Sequence, residues 1–232
     1  MNAFDTAHTA TLDALFETAS TLHFVKGEHL LHPANPTHSV FRIMSGIVKL
    51  YSLNNQGEEY IHIFYGAGEI FPLRWMSSDT AVHQTVYARA LDHVTVQRIS
   101  TADLDDMIRN DGALSYAILQ QVVQQFTIYA ERLENLEYKY ASERLAFRLL
   151  FMAGRFGTQR GNDIVLPSIT QHDIAASINI SRESANRELE RLERKSLISR
   201  EVRHIVIRDR EGLRKELHTD SDPFDWRTHI AK

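Results

Sequence analysis

The stretch ITQHDIAASINISRESANRELERLE, residues 169–193, contains two helix starts separated by a short turn. Thr170 is a predicted N-cap residue, and Asp173 follows three residues later, which is the spacing of a capping box. The segment SINI then predicts a tight turn, and Ser181 is the predicted N-cap of a second helix. A helix, a turn of three to four residues and a second helix together predict a helix-turn-helix.

The second helix separates its apolar residues from its charged ones. Residues at helical spacing predict a buried face that consists of Ala185, Leu189, Leu192 and, just after the helix, Leu197. The first two turns then expose Arg182, Glu183 and Arg187. Arginine can donate two hydrogen bonds to guanine, and glutamate can accept one from the cytosine amino group. The alternative is a solvated helix held together by Glu–Arg pairs, which is what the later charges at 188–194 indicate.

The alternating run REVRHIVIRD, residues 200–209, predicts a two-stranded wing that carries Arg200, Arg203 and His204. The chain as a whole has a formal net charge of -4, which excludes a uniformly basic nucleic-acid binder. Residues 1–110 contain seven Lys/Arg against twelve Asp/Glu, whereas residues 165–210 contain nine against seven. Any anion-binding face is therefore local and C-terminal.

The N-terminal part, from about residue 21 to 100, consists of short alternating runs punctuated by glycine. FRIMSGIVKLYSL, residues 41–53, turns at Gly46, and NNQGEEYIHIFY, residues 54–65, begins with a second turn. Many short strands at even spacing predict an all-β barrel or sandwich. Before them, ATLDALFETA, residues 10–19, predicts a short amphipathic helix that caps the barrel.

After about Thr101 the apolar residues recur at spacings of three and four instead of two. The resulting stripe consists of Leu114, Ile118, Val122, Phe126, Tyr129, Leu133, Leu136 and Tyr140. Such a stripe predicts a long helix that pairs with its counterpart in a second copy, or one that packs against its own barrel. A further helix is predicted over residues 141–153, followed by a glycine-rich loop over residues 154–163.

Several classes of chemistry are excluded by composition. The absence of cysteine rules out disulfides, thiolate zinc sites and cysteine-held iron–sulfur clusters. No metal site is predicted from the twelve histidines, because none has the spacing of a helical metal site. A phosphate-binding glycine loop and a G-x-S-x-G motif are both missing, so the chain is not predicted to be an enzyme. No apolar run approaches the roughly 18 to 20 residues of a membrane span, and we expect a cytoplasmic protein.

This arrangement resembles the CRP/FNR family of bacterial transcription regulators, named after the cyclic-AMP receptor protein and the fumarate-nitrate reductase regulator. The likeness covers nearly the whole chain, and its specific motifs are ITQHDIA and SRESANR, supported by SGIVKLYS and GAGE. It implies an α+β fold with an N-terminal double-stranded β-helix, which is a cyclic-nucleotide-binding-like jelly roll. A long dimerisation helix and a C-terminal winged helix-turn-helix follow. The implied divisions are residues 1–110, 111–140 and 141–232.

By this resemblance, Arg182, Glu183 and Arg187 correspond to the base-reading R-E-x-x-x-R set of the cyclic-AMP receptor branch. The FNR branch lacks the first arginine and has a serine just before the last one, where this chain has Asn186. The resemblance implies a homodimer on double-stranded DNA, with half-sites close to GTGA about one DNA turn apart, and RNA polymerase as a partner. Backbone and wing contacts are expected from Thr170, Gln171, Ser181 and Arg203.

The resemblance also implies a candidate effector pocket in the β-roll. Family members that bind cyclic AMP carry a G-E-L motif and then an Arg-Ser pair. Here Gly68 and Glu69 match the motif, but Gln84 and Thr85 fall at the Arg-Ser position. Because glutamine cannot neutralise a phosphate, cyclic AMP is not the expected effector. Either Arg74 or Arg89 is the candidate anchor for a different anion, such as a small carboxylate.

Other functions stay open at this point. One is a ligand- or partner-binding β-roll module whose C-terminal domain has weak or lost DNA binding. Another is a haem- or metal-dependent sensor, and a third is a regulator that works without any small molecule. No cofactor is predicted, and the effector is not identified. The set Arg182, Glu183 and Arg187 favours the DNA-binding regulator, because a module that no longer read DNA would have no reason to keep it.

Overall fold

The computed structural model describes residues 6–35, 37–73, 86–202 and 204–217. The chain divides into two compact units, Met1–Tyr129 and Ala130–Lys232. Within the described ranges, no helix is both long enough and apolar enough to cross a membrane.

The first unit consists of two antiparallel sheets with helices packed against one of them. Its strands are β1 (Ser20–Phe24), β2 (His29–Leu31), β3 (Ser39–Ser45), β4 (Val48–Leu53), β5 (Glu59–Tyr65), β6 (Ile70–Phe71), β7 (Val86–Ala90) and β8 (Val94–Ser100). One sheet has the order β1-β8-β3-β6 and the other β2-β7-β4-β5. The helices are α1 (Thr6–Phe16), α2 (Thr101–Asn110) and α3 (Gly112–Glu137). The predicted β-rich N-terminal domain followed by a long helix is therefore confirmed.

Helix α1 begins and ends earlier than the predicted residues 10–19. The chain leaves the helix after Phe16, where the amide of Glu17 bonds back to the carbonyl of Ala14 in a turn. The amide of Ala19 then bonds to the carbonyl of Phe16, and strand β1 starts at the next residue.

Glycine makes the predicted turn between β3 and β4 possible. Gly46 has a φ of +86°, which residues with a side chain rarely adopt. A Cβ at this position would also collide with the backbone of His93. Gly57 has a φ of +80° in the turn before β5. Both turns predicted from the sequence are confirmed.

A hydrophobic core joins the helices of the first unit to the β1-β8-β3-β6 sheet. Its buried members are Leu12, Leu15, Phe16, Val40, Ile70, Leu104, Leu114, Ala117 and Ile118. Each large apolar side chain buried here contributes about 1.5–3 kcal/mol. Leu114 and Ile118 of α3 are thus covered by their own unit. At these two positions the helix therefore packs against its own domain, which is one of the two alternatives predicted for the apolar stripe.

The second unit contains the end of α3 and a small sheet surrounded by helices. Its elements are α4 (Ala141–Phe156), β9 (Thr158–Arg160), β10 (Asp163–Val165), α5 (Gln171–Ser177), α6 (Arg182–Arg194), β11 (Ile198–Arg200), β12 (Ile205–Ile207) and α7 (Arg210–Lys215). The sheet order is β11-β12-β10-β9. Helix-turn-helix and wing are confirmed as predicted.

Two parts of the second unit differ from the predictions. Residues 154–163 were predicted as a glycine-rich loop, but only Gly157, Gly161 and Asn162 lie outside helices and strands. Strands β9 and β10 pair in a hairpin that turns at Gly161. Strand β10 pairs in turn with β12, so this hairpin widens the wing sheet. Helix α7 was not predicted, and it starts where the Asp209 side chain accepts a hydrogen bond from the Gly212 amide at 2.8 Å.

Candidate nucleic-acid interface

Helix α5 begins with the capping box that the sequence predicts. The hydroxyl oxygen of Thr170 accepts from the amide of Asp173 at 3.0 Å, and the amide of Thr170 donates to the Asp173 carboxylate at 3.2 Å. Two backbone amides at the helix start are therefore satisfied by side chains. Thr170 is exposed, and Gln171 is the half-buried first residue of the helix. The N-terminal end of α5, where the phosphate contacts are predicted, is thus well defined.

The turn between α5 and α6 depends on one residue in the left-handed region. Asn179 has a φ of +53°, which asparagine tolerates better than most residues. Next to it Ile178 is fully buried, and the amide of Ile180 bonds back to the carbonyl of Ala175 at 3.2 Å. These contacts hold the two helices at the angle that a helix-turn-helix requires.

Two arginines of α4 hold the C-terminal end of α5. Arg144 donates to the carbonyl of Ile178 at 3.2 Å, and Arg148 donates to the carbonyl of Ser177 at 3.1 Å. Cations are favourable at this end because the last carbonyls of a helix carry partial negative charge. The sequence prediction did not include these residues. The available signal was two arginines four residues apart in a helix whose middle part is mostly apolar.

Helix α6 presents the three predicted base-reading residues on its exposed side. Ser181 caps the helix by accepting from the amide of Ser184 at 3.1 Å, as predicted. Arg182 and Glu183 are exposed and have no intramolecular partner among the described residues. Arg187 is also exposed and donates to the hydroxyl of Ser184 at 3.2 Å. Glu183 and Arg187 lie four residues apart but form no ion pair within the described residues, so the Glu183 carboxylate can accept from an external donor.

The later charges of α6 belong to the protein's own structure. Arg191 donates to Glu188 and to Glu216, both at 2.7 Å, and Lys195 donates to Glu216 at 2.7 Å. Burial opposes ionisation of the Glu216 carboxyl, but the hydrogen bonds from Lys195 and Arg191 outweigh it and lower its pKa. The predicted Glu–Arg pairing of this part is confirmed, with Glu216 after α7 as an added partner.

The cations of the wing sheet are paired with carboxylates. Arg160 bonds to Glu201 in a bidentate pair, and Arg208 bonds to Asp163. The hydrogen bond from Arg160 is the main cause that lowers the pKa of the Glu201 carboxyl. His204 is bonded through Nδ1 to the carbonyl of Leu166 at 3.0 Å. The predicted wing contact Arg203 lies outside the described residues.

The candidate effector residues are only partly described. Gly68 adopts a φ of +86°, and the buried Glu69 carboxylate accepts from the Gly66 amide at 2.6 Å, so it fastens its own loop. Arg89 donates to Glu59 at 3.1 Å, and its guanidinium lies 5.1 Å from the centre of the Tyr51 ring. The other candidates, which are Arg74, Gln84 and Thr85, lie outside the described residues.

Close to this loop, aromatic side chains fill the space between the strands. Phe71 stacks on Tyr65 with 5.0 Å between ring centres and lies 5.6 Å from Phe41, and all three are buried. The buried Gln125 of α3 accepts from the Tyr65 hydroxyl and donates to the carbonyl of Ile70 at 2.7 Å. In the part of the chain that is described, no group of three or more metal-ligating residues comes together.

Comparison with known proteins gives matches along most of the chain. The model of the cyclic nucleotide-binding domain matches residues 21–111, and that of the Crp-like helix-turn-helix domain matches residues 143–216. Electron transport regulator A of Shewanella oneidensis is 28% identical over 204 residues, which are 87% of this chain and 79% of that protein. The fumarate and nitrate reduction regulatory protein of Vibrio cholerae is 28% identical over 199 residues, 84% of this chain and 77% of that protein.

A solved structure has the same fold. FixK2 from Bradyrhizobium japonicum superposes with a TM-score of 0.74 at 21% sequence identity. The match covers 88% of this chain and 99% of that chain. At this level of identity the likeness concerns the fold alone.

Proposed function

The chain belongs to the CRP/FNR family of bacterial transcription regulators and carries a helix-turn-helix DNA-binding domain, and from this premise we propose how it reads DNA. The protein acts as a homodimer that binds a two-fold symmetric site with half-sites close to GTGA. Arg182, Glu183 and Arg187 read the bases, while Thr170, Gln171, Ser181 and Arg203 contact the backbone.

The observation that carries this proposal concerns the exposure and the ion pairing of the charged side chains in the first two turns of α6. The exposed groups there are two guanidinium groups and a carboxylate, and none of the three is in an ion pair within the described residues. Among the later charged residues, Glu188, Arg191 and Glu193 have such a pair, and Glu190 accepts a hydrogen bond from Asn186. Arg194 has no ion pair within the described residues. Groups without an internal counter-charge lose no ion pair when they enter the major groove, and the Arg187 side chain gives up only its hydrogen bond to the Ser184 hydroxyl. Arginine and glutamate are also the residue types that recognise guanine and cytosine.

A second copy of the chain is the proposed partner of α3. The exposed large apolar residues of this helix are Tyr116, Leu119, Val122, Val123, Phe126 and Leu133. Apart from Val122, they follow one another at spacings of three, four, three and seven, which is the pattern of a paired helix. Phe126 is 72% exposed. A row of such side chains in water is unfavourable, and a two-fold related copy would cover it. The two recognition helices of a dimer would then account for a palindromic site.

We propose that cyclic AMP does not control this regulator. The support is the glutamine at position 84 in place of an arginine, and the engagement of Arg89 with Glu59. RNA polymerase as partner and the cytoplasm as location follow from the family and stay part of the proposal. Native mass spectrometry of the purified full-length protein tests this proposal, because a bound effector would add its own mass.

The proposal is tested by binding of the full-length protein to labelled duplexes at two salt concentrations. One duplex carries two GTGA-type half-sites in palindromic order, and the control has the same base composition in scrambled order. We expect the palindrome to bind about a thousandfold tighter, the lower end of the usual specificity ratio. The variant Arg182→Ala removes a proposed base contact. Its matched control is Arg194→Ala, which removes the same charged group from the last turn of α6. Equal binding of both duplexes would contradict the base-reading role.

A further inference from the structure

Asn186 stands among the base-reading residues of α6, directly before Arg187 and one turn after Arg182. Asparagine on a recognition helix commonly reads adenine, with its amide donating to N7 and its oxygen accepting from N6. In this protein both ends of the amide already have partners. The Asn186 oxygen accepts from Nη1 of Arg200 at 3.0 Å, and its nitrogen donates to the Glu190 carboxylate at 2.8 Å.

Arg200, the last residue of β11, is itself held by hydrogen bonds from both its backbone and its side chain. Its backbone amide donates to one carboxylate oxygen of Glu193 at 3.0 Å, and its Nε donates to the other at 2.9 Å. The bond from this backbone amide is the first cause of the lowered pKa of the Glu193 carboxyl. Glu190, Asn186, Arg200 and Glu193 therefore form one continuous chain of hydrogen bonds. This chain connects the base of the wing to two turns of the recognition helix.

The chemistry of these bonds decides which groups can reach DNA. A bond between a charged and a neutral group is stronger than one between two neutral groups, and both Asn186 bonds are of the charged kind. Reading adenine would require the amide to give up both of them at once. Arg200 would likewise lose the contacts of its Nε and Nη2 with one Glu193 carboxylate oxygen if its side chain turned to a phosphate. Neither side chain is therefore available to DNA at low cost, in contrast to Arg182 and Glu183.

We infer that Arg200 is a positioning residue that fixes the wing to the recognition helix and keeps Asn186 from reading a base. This inference rests on the proposed function and deepens it, because it assigns the sequence preference to Arg182, Glu183 and Arg187 alone. Arg200 acts through Asn186 and Glu193 without touching DNA.

The test measures affinity for a panel of duplexes in which each base pair of one half-site is changed in turn. We compare the full-length wild type with Asn186→Ala, Arg200→Lys and the double variant. Asn186→Ala should keep the wild-type profile to within about twofold at every position. Arg200→Lys keeps the positive charge but loses the planar guanidinium, whose separate N–H groups bond to Asn186 and to Glu193. It should create a new preference for adenine at one position, of about fivefold or more, the usual range of a single base contact. The double variant should return to the wild-type profile.

The outcomes separate the inference from the proposed function. A changed profile in Asn186→Ala would overturn the inference, and so would an unchanged profile in Arg200→Lys. A flat profile in the wild type would overturn the proposed function. In that case the hydrogen bonds that restrain Asn186 are tested without DNA, by the NMR signals of its side-chain amide. These signals should shift and broaden in Arg200→Lys, whereas identical signals in both proteins would contradict the inference. Circular dichroism of each variant confirms that it is folded.

Discussion

At the scale of single residues, α6 carries two kinds of charged side chain. One kind is bonded to other residues of the protein, and the other kind faces outward. Glu188, Arg191 and Glu193 are bonded to other residues, and Asn186 is bonded to Arg200. Arg182 and Glu183 have no such bonds among the described residues. A helix with so many charges looks uniform in the sequence, and only the packing of the wing and α7 against it distinguishes the two sets.

The loss of one base reader should affect one base pair. Arg182→Ala is expected to cost about 1–3 kcal/mol of binding free energy on the preferred duplex and less on a duplex changed at the base pair it reads. Removal of the guanidinium takes away the bidentate contact with guanine. The measurement is competition between the preferred duplex and single-base variants. The contrasting variant is Gln171→Ala, which should weaken all duplexes alike; a loss of discrimination in Gln171→Ala would contradict this division of roles.

Glu216 should make the stability of the second unit depend on acid pH. Its pKa is lowered in the folded protein, so its contribution is present above the ordinary value of 4.5 and is lost as the pH falls through the folded value. Glu216→Gln removes this dependence and the charge-assisted bonds to Arg191 and Lys195, at a cost of about 1–2 kcal/mol near neutral pH. Urea denaturation at several pH values, followed by circular dichroism, measures both effects. A variant as stable as the wild type at neutral pH would contradict the role of this contact.

At the scale of elements, the parts predicted best were those with a local signal. Thr170 and Ser181 are N-caps in the structure as predicted, because a capping hydrogen bond involves residues only three apart. The β9–β10 hairpin was missed although its pairing is local, because its three-residue strands are too short and too exposed to show an apolar alternation. Helix α7 was missed because a six-residue helix gives little local periodicity. The sequence left open whether Leu114 and Ile118 of α3 pack against their own unit or against a second copy. Which apolar side of a helix faces its own sheet is decided by tertiary packing.

The exposed apolar row of α3 predicts the effect of a charge at its centre. Phe126→Glu should convert the dimer to a monomer, because burying the carboxylate between two helices is strongly unfavourable. Sedimentation equilibrium measures the mass. The matched control is Met107→Glu, which places the same charge at an exposed apolar position of α2 and should leave the dimer intact. A dimeric Phe126→Glu would show that the subunits associate elsewhere.

The paired charges of the wing predict a gain of affinity when a carboxylate is removed. Arg160 and Arg208 both lie against Glu201, which competes with DNA phosphates for them. Glu201→Gln should therefore tighten binding to all duplexes and steepen the dependence of affinity on salt, because more cations become available to phosphates. Binding isotherms over a series of salt concentrations measure both. Unchanged affinity at low salt would mean that these arginines do not face DNA.

At the scale of the whole molecule, the order of β-rich domain, long helix and helix-turn-helix was already contained in the change of apolar period along the chain. The residues proposed to read bases were predicted from their type and from the family resemblance, and the structure leaves them exposed. The effector could not be predicted, since the match ends where Gln84 replaces the expected arginine. What a β-roll binds depends on the side chains that meet in its interior. Tyr65 stacks on Phe71 and donates a hydrogen bond to Gln125, which lies far away in the sequence.

The most direct test of the central claim is selection of DNA by the full-length protein from a pool of random duplexes, followed by sequencing. It makes no assumption about the site. The account predicts enrichment of a palindrome with GTGA-like half-sites about one helical turn apart. The same selection with Arg182→Ala should lose the preference at one position of each half-site. Recovery of duplexes without any common sequence, or of a single unrepeated half-site, would contradict the proposed two-fold reader.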